Sequence, residues 1–299
     1  MEVAGPRYVS GLNETGNLRQ VVMKHPREAF GDTQRIEAQW RPLNFSAPPD
    51  LGAAIDEYDR LVELIQRAGA EVLFLPADPR GGLDSIYVRD ASIVSPSGVI
   101  LGNMGKPLRA GEPAAHGAAF GALGIPVIGA IEPPGTLEGG DLVWLDEQTV
   151  AVGEGYRTNA EGIRQLRAIL GPSIEVIVAT LPHWHGAGEV LHLMSLISPI
   201  SRDLAVVYSP LVPVPFWRTL VERGYTLIEV PESEFDSMGT NVLALGPGRC
   251  VMIAGNSGTR AAIERAGTEV FEYVGTEIST KGAGGPTCLT RPIARDADL

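Results

Sequence analysis

The sequence predicts an α/β fold of five ββαβ repeats, packed as an array or a closed ring, and three observations carry that expectation. First, an apolar helix pattern runs five times into a small turn and then into a β-rich run. The junctions read RAGAEVLFLP (67–76), GALGIPVIGA (121–130), ILGPSIEVIVA (169–179), ERGYTLIEVP (222–231) and ERAGTEVFEYV (264–274). Second, the turn glycines Gly69, Gly124, Gly171, Gly224 and Gly267 stand 55, 47, 53 and 43 residues apart. Glycine is the usual residue just past a helix C-terminus, because it takes the left-handed conformation without a Cβ clash. Third, the last β run, CLTRPI (288–293), has no later partner, so pairing with the first strand at 19–26 would close a ring. Such a period means that one supersecondary unit is repeated, each burying its apolar face against the next.

The elements follow in order. RQVVMKHP (19–26) reads as a strand, and residues 50–69 as an amphipathic helix with Ile55, Leu61, Leu64 and Ile65 inward. The segment WRPLNFSAPPD (40–50) before it is either a substrate-covering loop or a connector. A hairpin SIYVRDASIV/GVILGNM turns through SPSG and leads to a helix near 112–123. The next hairpin is DLVWLD/TVAVGEGY, followed by a helix opening at Thr158 with Glu161 in the capping-box position. LHLMSLISP/LAVVYSP precedes a helix near 214–223, and NVLALG/CVMIAG one at 257–266. No linker or low-complexity stretch divides the chain, so a single domain over residues 1–299 is expected.

Composition narrows the function. The 299 residues are 44% hydrophobic and 20% charged, enough apolar content for a sizeable core. A formal charge of −12 argues against nucleic acid or an anionic membrane as the main partner; it suits a cationic small molecule, and general solubility equally. No apolar run reaches about 18 residues, and the opening MEVAGPRYVSG lacks a basic-then-apolar leader pattern. Two cysteines, Cys250 and Cys288, make no disulfide framework, so a reducing cytoplasm is expected. A homodimer is compatible with the sequence, which does not specify oligomeric state.

A second regularity lies inside the first. Asp90, Asp141, His192, Asn241 and Cys288 each stand at the start of a repeat's opening β run, 51, 51, 49 and 47 residues apart. Equivalent positions in a ring lie at equal depth around one axis, so these side chains should converge. Cys288, in KGAGGPTCLTRPI, follows glycines that let backbone approach a ligand and leave N–H groups to stabilise a thiolate. A free cysteine on a strand is otherwise a small buried hydrophobe, the reading for Cys250. His192 opens an apolar strand and is either a core histidine or a proton carrier. Glu138 and Asp141 flank a Gly-Gly turn. Asp90 heads a β run, where an unpaired carboxylate is costly to bury, so either neighbouring Arg89 or a cation should meet it. His183 and His185 lie in a loop, and no further ligand shares metal-type spacing with them. A thiol, a histidine and a carboxylate together suggest nucleophilic catalysis.

Tyr87-Val88-Arg89-Asp90, Glu138-Gly139-Gly140-Asp141, Gly155-Tyr156-Arg157-Thr158-Asn159, His192-Leu193 and Gly284-Gly285-Pro286-Thr287-Cys288, on this repeat, resemble the guanidine-modifying enzymes of the pentein fold. That superfamily includes arginine deiminases, amidinotransferases and dimethylarginine dimethylaminohydrolases, and the likeness spans about residues 19–293. It implies a five-bladed α/β propeller with a central site. It also implies Cys288 as nucleophile, His192 as general acid/base, Glu138 orienting His192 and Asp90 holding the guanidinium. Arg109 and Arg157 match arginines that hold the substrate α-carboxylate, and Asp141 serves substrate contact or turn support. No metal or organic cofactor is implied.

The implied partner is a guanidino amino acid, attacked by Cys288 to leave a covalent S-alkylthiouronium that water hydrolyses to citrulline. Two features bear on substrate choice. Met194 stands where deiminases and amidinotransferases carry a second guanidinium-binding Asp, which favours N-methylated arginine. Arg89 before Asp90 and the Gly-Gly-Pro before Cys288 are deiminase-like, although Ala283 replaces a deiminase arginine. The alternatives are an arginine deiminase or dihydrolase, then an amidinotransferase, then a non-catalytic pentein binding module.

Overall fold

The computed structural model describes residues 13–297; the opening segment 1–12, read above for a leader pattern, lies outside them. Five three-stranded sheets form. The first unit contributes β1 (Leu18–Met23) and β2 (Glu71–Phe74), paired in parallel across the helix Leu51–Arg67. The second sheet holds β3 (Ser92–Ser95), β4 (Gly98–Leu101) and β5 (Val127–Ala130). The third holds β6 (Leu142–Trp144), β7 (Thr149–Glu154) and β8 (Glu175–Thr180). The fourth holds β9 (Ile197–Ser201), β10 (Leu204–Val207) and β11 (Thr226–Glu229). The fifth holds β12 (Leu243–Gly246), β13 (Arg249–Ile253) and β14 (Glu269–Tyr273).

Each of these last four sheets is an antiparallel hairpin followed by a helical crossover to a parallel third strand. The final strand, β15 (Arg291–Arg295), pairs antiparallel with β1, with Leu18 opposite Arg295 and Val22 opposite Arg291. The five turn glycines have φ between 69° and 101°, the left-handed region that favours glycine.

The helix ends follow from local chemistry. Asp50 caps Leu51–Arg67 by accepting from the Ala53 amide at 2.8 Å, a contribution of about 1 kcal/mol. In the third unit the cap is Asn159, which accepts from Gly162 N at 2.8 Å, so the helix runs Ala160–Leu170. Glu161 is not part of a capping box there; it is drawn into an ion pair with Arg164 at 2.7 Å.

The core is shared between neighbours. Val21, Met23, Tyr58, Leu61 and Ile65 join β1 to its helix. Val99, Phe120, Val150 and Ile163 link the second and third units; Val143, Ala205, Phe216 and Leu220 link the third and fourth. Val206, Cys250, Met252 and Ile263 link the fourth and fifth. Each fully buried Leu, Ile or Phe contributes about 1.5–3 kcal/mol. Cys250 is enclosed there, and burial pushes its thiol up to about 12. Among the described residues no helix is long and apolar enough to cross a membrane.

Candidate active site

Four of the five residues expected to converge do meet, and Asp141 does not reach the cavity. Asp90 precedes β3, His192 precedes β9, Asn241 precedes β12 and Cys288 precedes β15, and all four line one cavity of about 350 Å³. Glu138 lies just behind it and is fully buried. Its Oε2 meets His192 Nε2 at 2.7 Å, its Oε1 accepts from the amides of Gly105 (2.9 Å) and Lys106 (3.2 Å), and Arg157 Nη1 approaches Oε2 at 3.3 Å. The other imidazole nitrogen, Nδ1, is 3.8 Å from Asp90 Oδ1. Burial opposes charging His192, but the carboxylates of Asp90, Asp141 and Glu138 outweigh it and raise the imidazole to about 9. Burial likewise opposes the Glu138 carboxylate, yet the hydrogen bond and charge of His192 hold it down at about 2. The resting pair is therefore imidazolium and carboxylate at neutral pH.

Cys288 is partly exposed to the cavity. Asn241 Nδ2 donates to its Sγ at 3.4 Å, and Asn241 Oδ1 accepts from Thr287 N (3.0 Å) and Thr287 Oγ1 (2.9 Å), pinning the turn that presents the sulfur. Burial, then the charge of Asp90, raises the thiol above its ordinary value. The preceding segment is fixed by Glu57, which accepts from the amides of Thr276 (3.0 Å), Glu277 (2.8 Å) and Ile278 (3.2 Å).

The Gly-Gly turn has a steric reason. A Cβ on Gly140 would lie 2.5 Å from His192 Nδ1 and 2.8 Å from Asp90 Oδ1. The Gly140→Ala variant is therefore expected to displace both side chains and lower any kcat that depends on them roughly 10²-fold, read by steady-state turnover. Wild-type kcat in that variant would mean that the imidazole's position does not matter.

Arg109 lines the cavity, but its donors are committed. Nε reaches Glu112 Oε1 (3.0 Å) and Oε2 (3.1 Å), and Nη2 reaches Glu112 Oε2 (2.8 Å) and the carbonyls of Asp84 (3.2 Å) and Tyr87 (3.0 Å). Nη1 donates to Asp90 Oδ2 at 2.5 Å. A residue so engaged fixes Asp90 instead of awaiting a carboxylate. Asp90 Oδ1, by contrast, is buried with no hydrogen-bond partner among the described residues, His192 Nδ1 lying 3.8 Å away. Arg157 lines the cavity through a looser tie to Glu138 and retains donors for a ligand.

Three expected substrate contacts lie off the cavity. Met194 is 3% exposed and packs with Leu193, Ile197 and Phe216 in the core. A strand would put residues 192 and 194 on one face; Leu193–Ser195 instead forms a 3₁₀ turn, in which i and i+3 eclipse. Ser195 faces the cavity in its place. Asp141 accepts from Thr158 Oγ1 (2.6 Å) and Leu193 N (3.0 Å), supporting the turn beside His192; burial pushes it up to about 6. Arg89 lies behind the cysteine, its Nε donating to Thr287 O (2.9 Å) and Thr290 O (3.3 Å).

Other lining residues had no sequence signal or a faint one. Lys106 Nζ pairs with Asp84 at 2.6 Å. Leu43 and Asn44, from the segment 40–50, line the mouth, and Asn44 Nδ2 reaches Gly188 O at 3.0 Å. Trp184 and Phe235 meet edge-on at 5.8 Å on the same rim. His183 bonds the Tyr156 hydroxyl at 2.6 Å, whereas His185 lines the mouth. Asp90, Glu138 and His192 bring ligand atoms within 4.8 Å of one another, a spacing that a metal could use. The 2.7 Å between Nε2 and Oε2 is, however, the separation of a shared proton.

Comparison with known proteins gives the class first: this is an amidine hydrolase of the kind that acts on guanidino groups. The chain belongs to the family of N,N dimethylarginine dimethylhydrolases, eukaryotic, whose model matches residues 31–295. It is 34% identical over 243 residues to an N(G),N(G)-dimethylarginine dimethylaminohydrolase of Streptomyces coelicolor, covering 81% of this chain and 86% of that one. It is 28% identical to an arginine deiminase of Listeria welshimeri, over 70% of this chain and 61% of that protein. A solved dimethylarginine hydrolase of Pseudomonas aeruginosa, a Cys-to-Ser variant complexed with citrulline, superposes with a TM-score of 0.74 at 25% identity. That match covers 92% of this chain and 98% of the other.

Proposed function

We propose that this chain hydrolyses N-methylated arginine to citrulline and an alkylamine through a covalent adduct on Cys288. The observation that carries the proposal is the His192–Glu138 pair at 2.7 Å, with His192, Cys288 and Asp90, whose Oδ1 accepts no hydrogen bond among the described residues, lining one cavity. The five sheets and the β15–β1 pairing support one domain over 1–299, closed as a five-bladed α/β propeller of the pentein type. A free nucleophilic thiol suits a reducing cytoplasm.

The chemistry follows from the charges. Asp90 Oδ1 accepts from the cationic guanidinium, a charge-assisted bond worth about 1.5–3 kcal/mol. The arriving cation offsets the Asp90 charge that raises the Cys288 thiol, so the thiol gives its proton to water at the cavity mouth on binding and the thiolate attacks the guanidinium carbon. His192, already an imidazolium, protonates the departing amine. The neutral imidazole then takes a proton from water, which attacks the thiouronium carbon and releases the sulfur. Arg157 holds the substrate carboxylate, while Arg109 keeps Asp90 in place.

Two points favour a methylated substrate. Named relatives are dimethylarginine hydrolases, and Met194, packed into the core, offers no second carboxylate to grip an unsubstituted amino group. Steady-state assays should give kcat/KM for asymmetric dimethylarginine about tenfold or more above that for arginine, with dimethylamine released. Ammonia from arginine, with no dimethylamine from the methylated compound, would replace this reading by that of a deiminase.

A further inference from the structure

Behind the cysteine turn, on the side away from the catalytic cavity, two guanidinium groups are buried together. Arg89 is 2% exposed and Arg291 5%. Among the described residues, Arg89 Nη2 and Arg291 Nε have no hydrogen-bond partner. The nearby carboxylate is Glu14, whose Oε2 is 3.5 Å from Arg89 Nη1. Asp90, tied to Arg109, acts on Arg291 more weakly than Glu14, and Arg295 lines the same cavity, so among the described residues guanidinium groups outnumber carboxylates here, an arrangement proteins avoid unless an ion completes it. Burial, then the charge of Arg89, pushes the Arg291 guanidinium down to about 9, the electrostatic expression of the same deficit. Arg89, Arg291 and Glu14 line a cavity of about 20 Å³, floored by Val94 and Trp144. That is room for one water-sized occupant. A water would fill the space without neutralising it.

We propose that this cavity is a binding site for a small monovalent anion of the halide class. The anion bridges Arg89 and Arg291. Arg89 also donates to the carbonyls of Thr287 and Thr290, its amide bonds Cys288 O at 3.2 Å, and Arg291 Nη2 bonds Arg89 O. The bound ion therefore holds together the two segments that carry Asp90 and Cys288.

Thermal unfolding of the full chain in sodium chloride should be compared with sodium gluconate at equal ionic strength, gluconate being too large for the cavity. Chloride is expected to raise Tm by roughly 2–4 °C. Crystals grown in bromide should give an anomalous peak between the two guanidinium groups. Arg291→Met should abolish the chloride response; a response kept in that variant would put the effective ion elsewhere and overturn the site. If the variant does not fold, the bromide peak in the unaltered protein decides alone. Equal Tm in both salts with no bromide peak rejects the proposal.

Discussion

In the Cys288→Ser variant, citrulline formation from asymmetric dimethylarginine is expected to fall by a factor on the order of 10⁴ or more. A serine hydroxyl occupies the same space and can keep the Asn241 contact that now reaches Sγ at 3.4 Å. It cannot supply a stable anion at neutral pH, so the guanidinium carbon meets no nucleophile. Because the side chain is partly exposed to the cavity, the exchange should cost no more than about 1 kcal/mol, a Tm change within about 2–4 °C. Circular dichroism and thermal unfolding check the fold, and amine release checks the chemistry. Turnover within tenfold of the unaltered enzyme would remove covalent catalysis from this site.

Glu138→Gln should reduce kcat roughly 10²–10⁴-fold and also change the pH profile. Surrounding carboxylates outweigh burial and raise the His192 imidazole to about 9. A group raised in this way is charged below that value and loses its proton above it. The descending limb of kcat/KM in the unaltered enzyme should therefore lie near 9. Removing one carboxylate leaves burial with a larger share, so the limb moves to lower pH in the variant. Glutamine can still accept from Gly105 N and Lys106 N, which separates electrostatics from loss of structure. A limb that stays near 9, with kcat little changed, would show that Glu138 does not govern His192.

The repeats were legible because they depend on backbone chemistry. Gly69, Gly124, Gly171, Gly224 and Gly267 end helices in a conformation that other residues avoid, and the apolar periods on either side name the elements they join. The same period located Asp90, His192, Asn241 and Cys288 at the starts of strands that face one cavity. What it could not give was the rotation of the chain just past each start. A 3₁₀ turn at Leu193–Ser195 directs Met194 inward and Ser195 outward, and a similar turn at Gly139–Asp141 leaves Asp141 supporting backbone. Arg109 was expected to meet substrate because the resemblance implied it; its clamp by Glu112, three residues later, depends on a helix start that packs inward. Pairs such as Asp84–Lys106 have no sequence signature, since they arise from loops brought together only in the folded chain.

Cys288 lies between β14 and the strand that docks beside β1, so residues far apart in sequence must meet before it has its surroundings. A chain still emerging from the ribosome holds its first strand without the last, and closing so long a loop is slow compared with forming local hairpins. Under the proposed function, Cys288 therefore gains its surroundings only with one of the longest-range pairings of the fold.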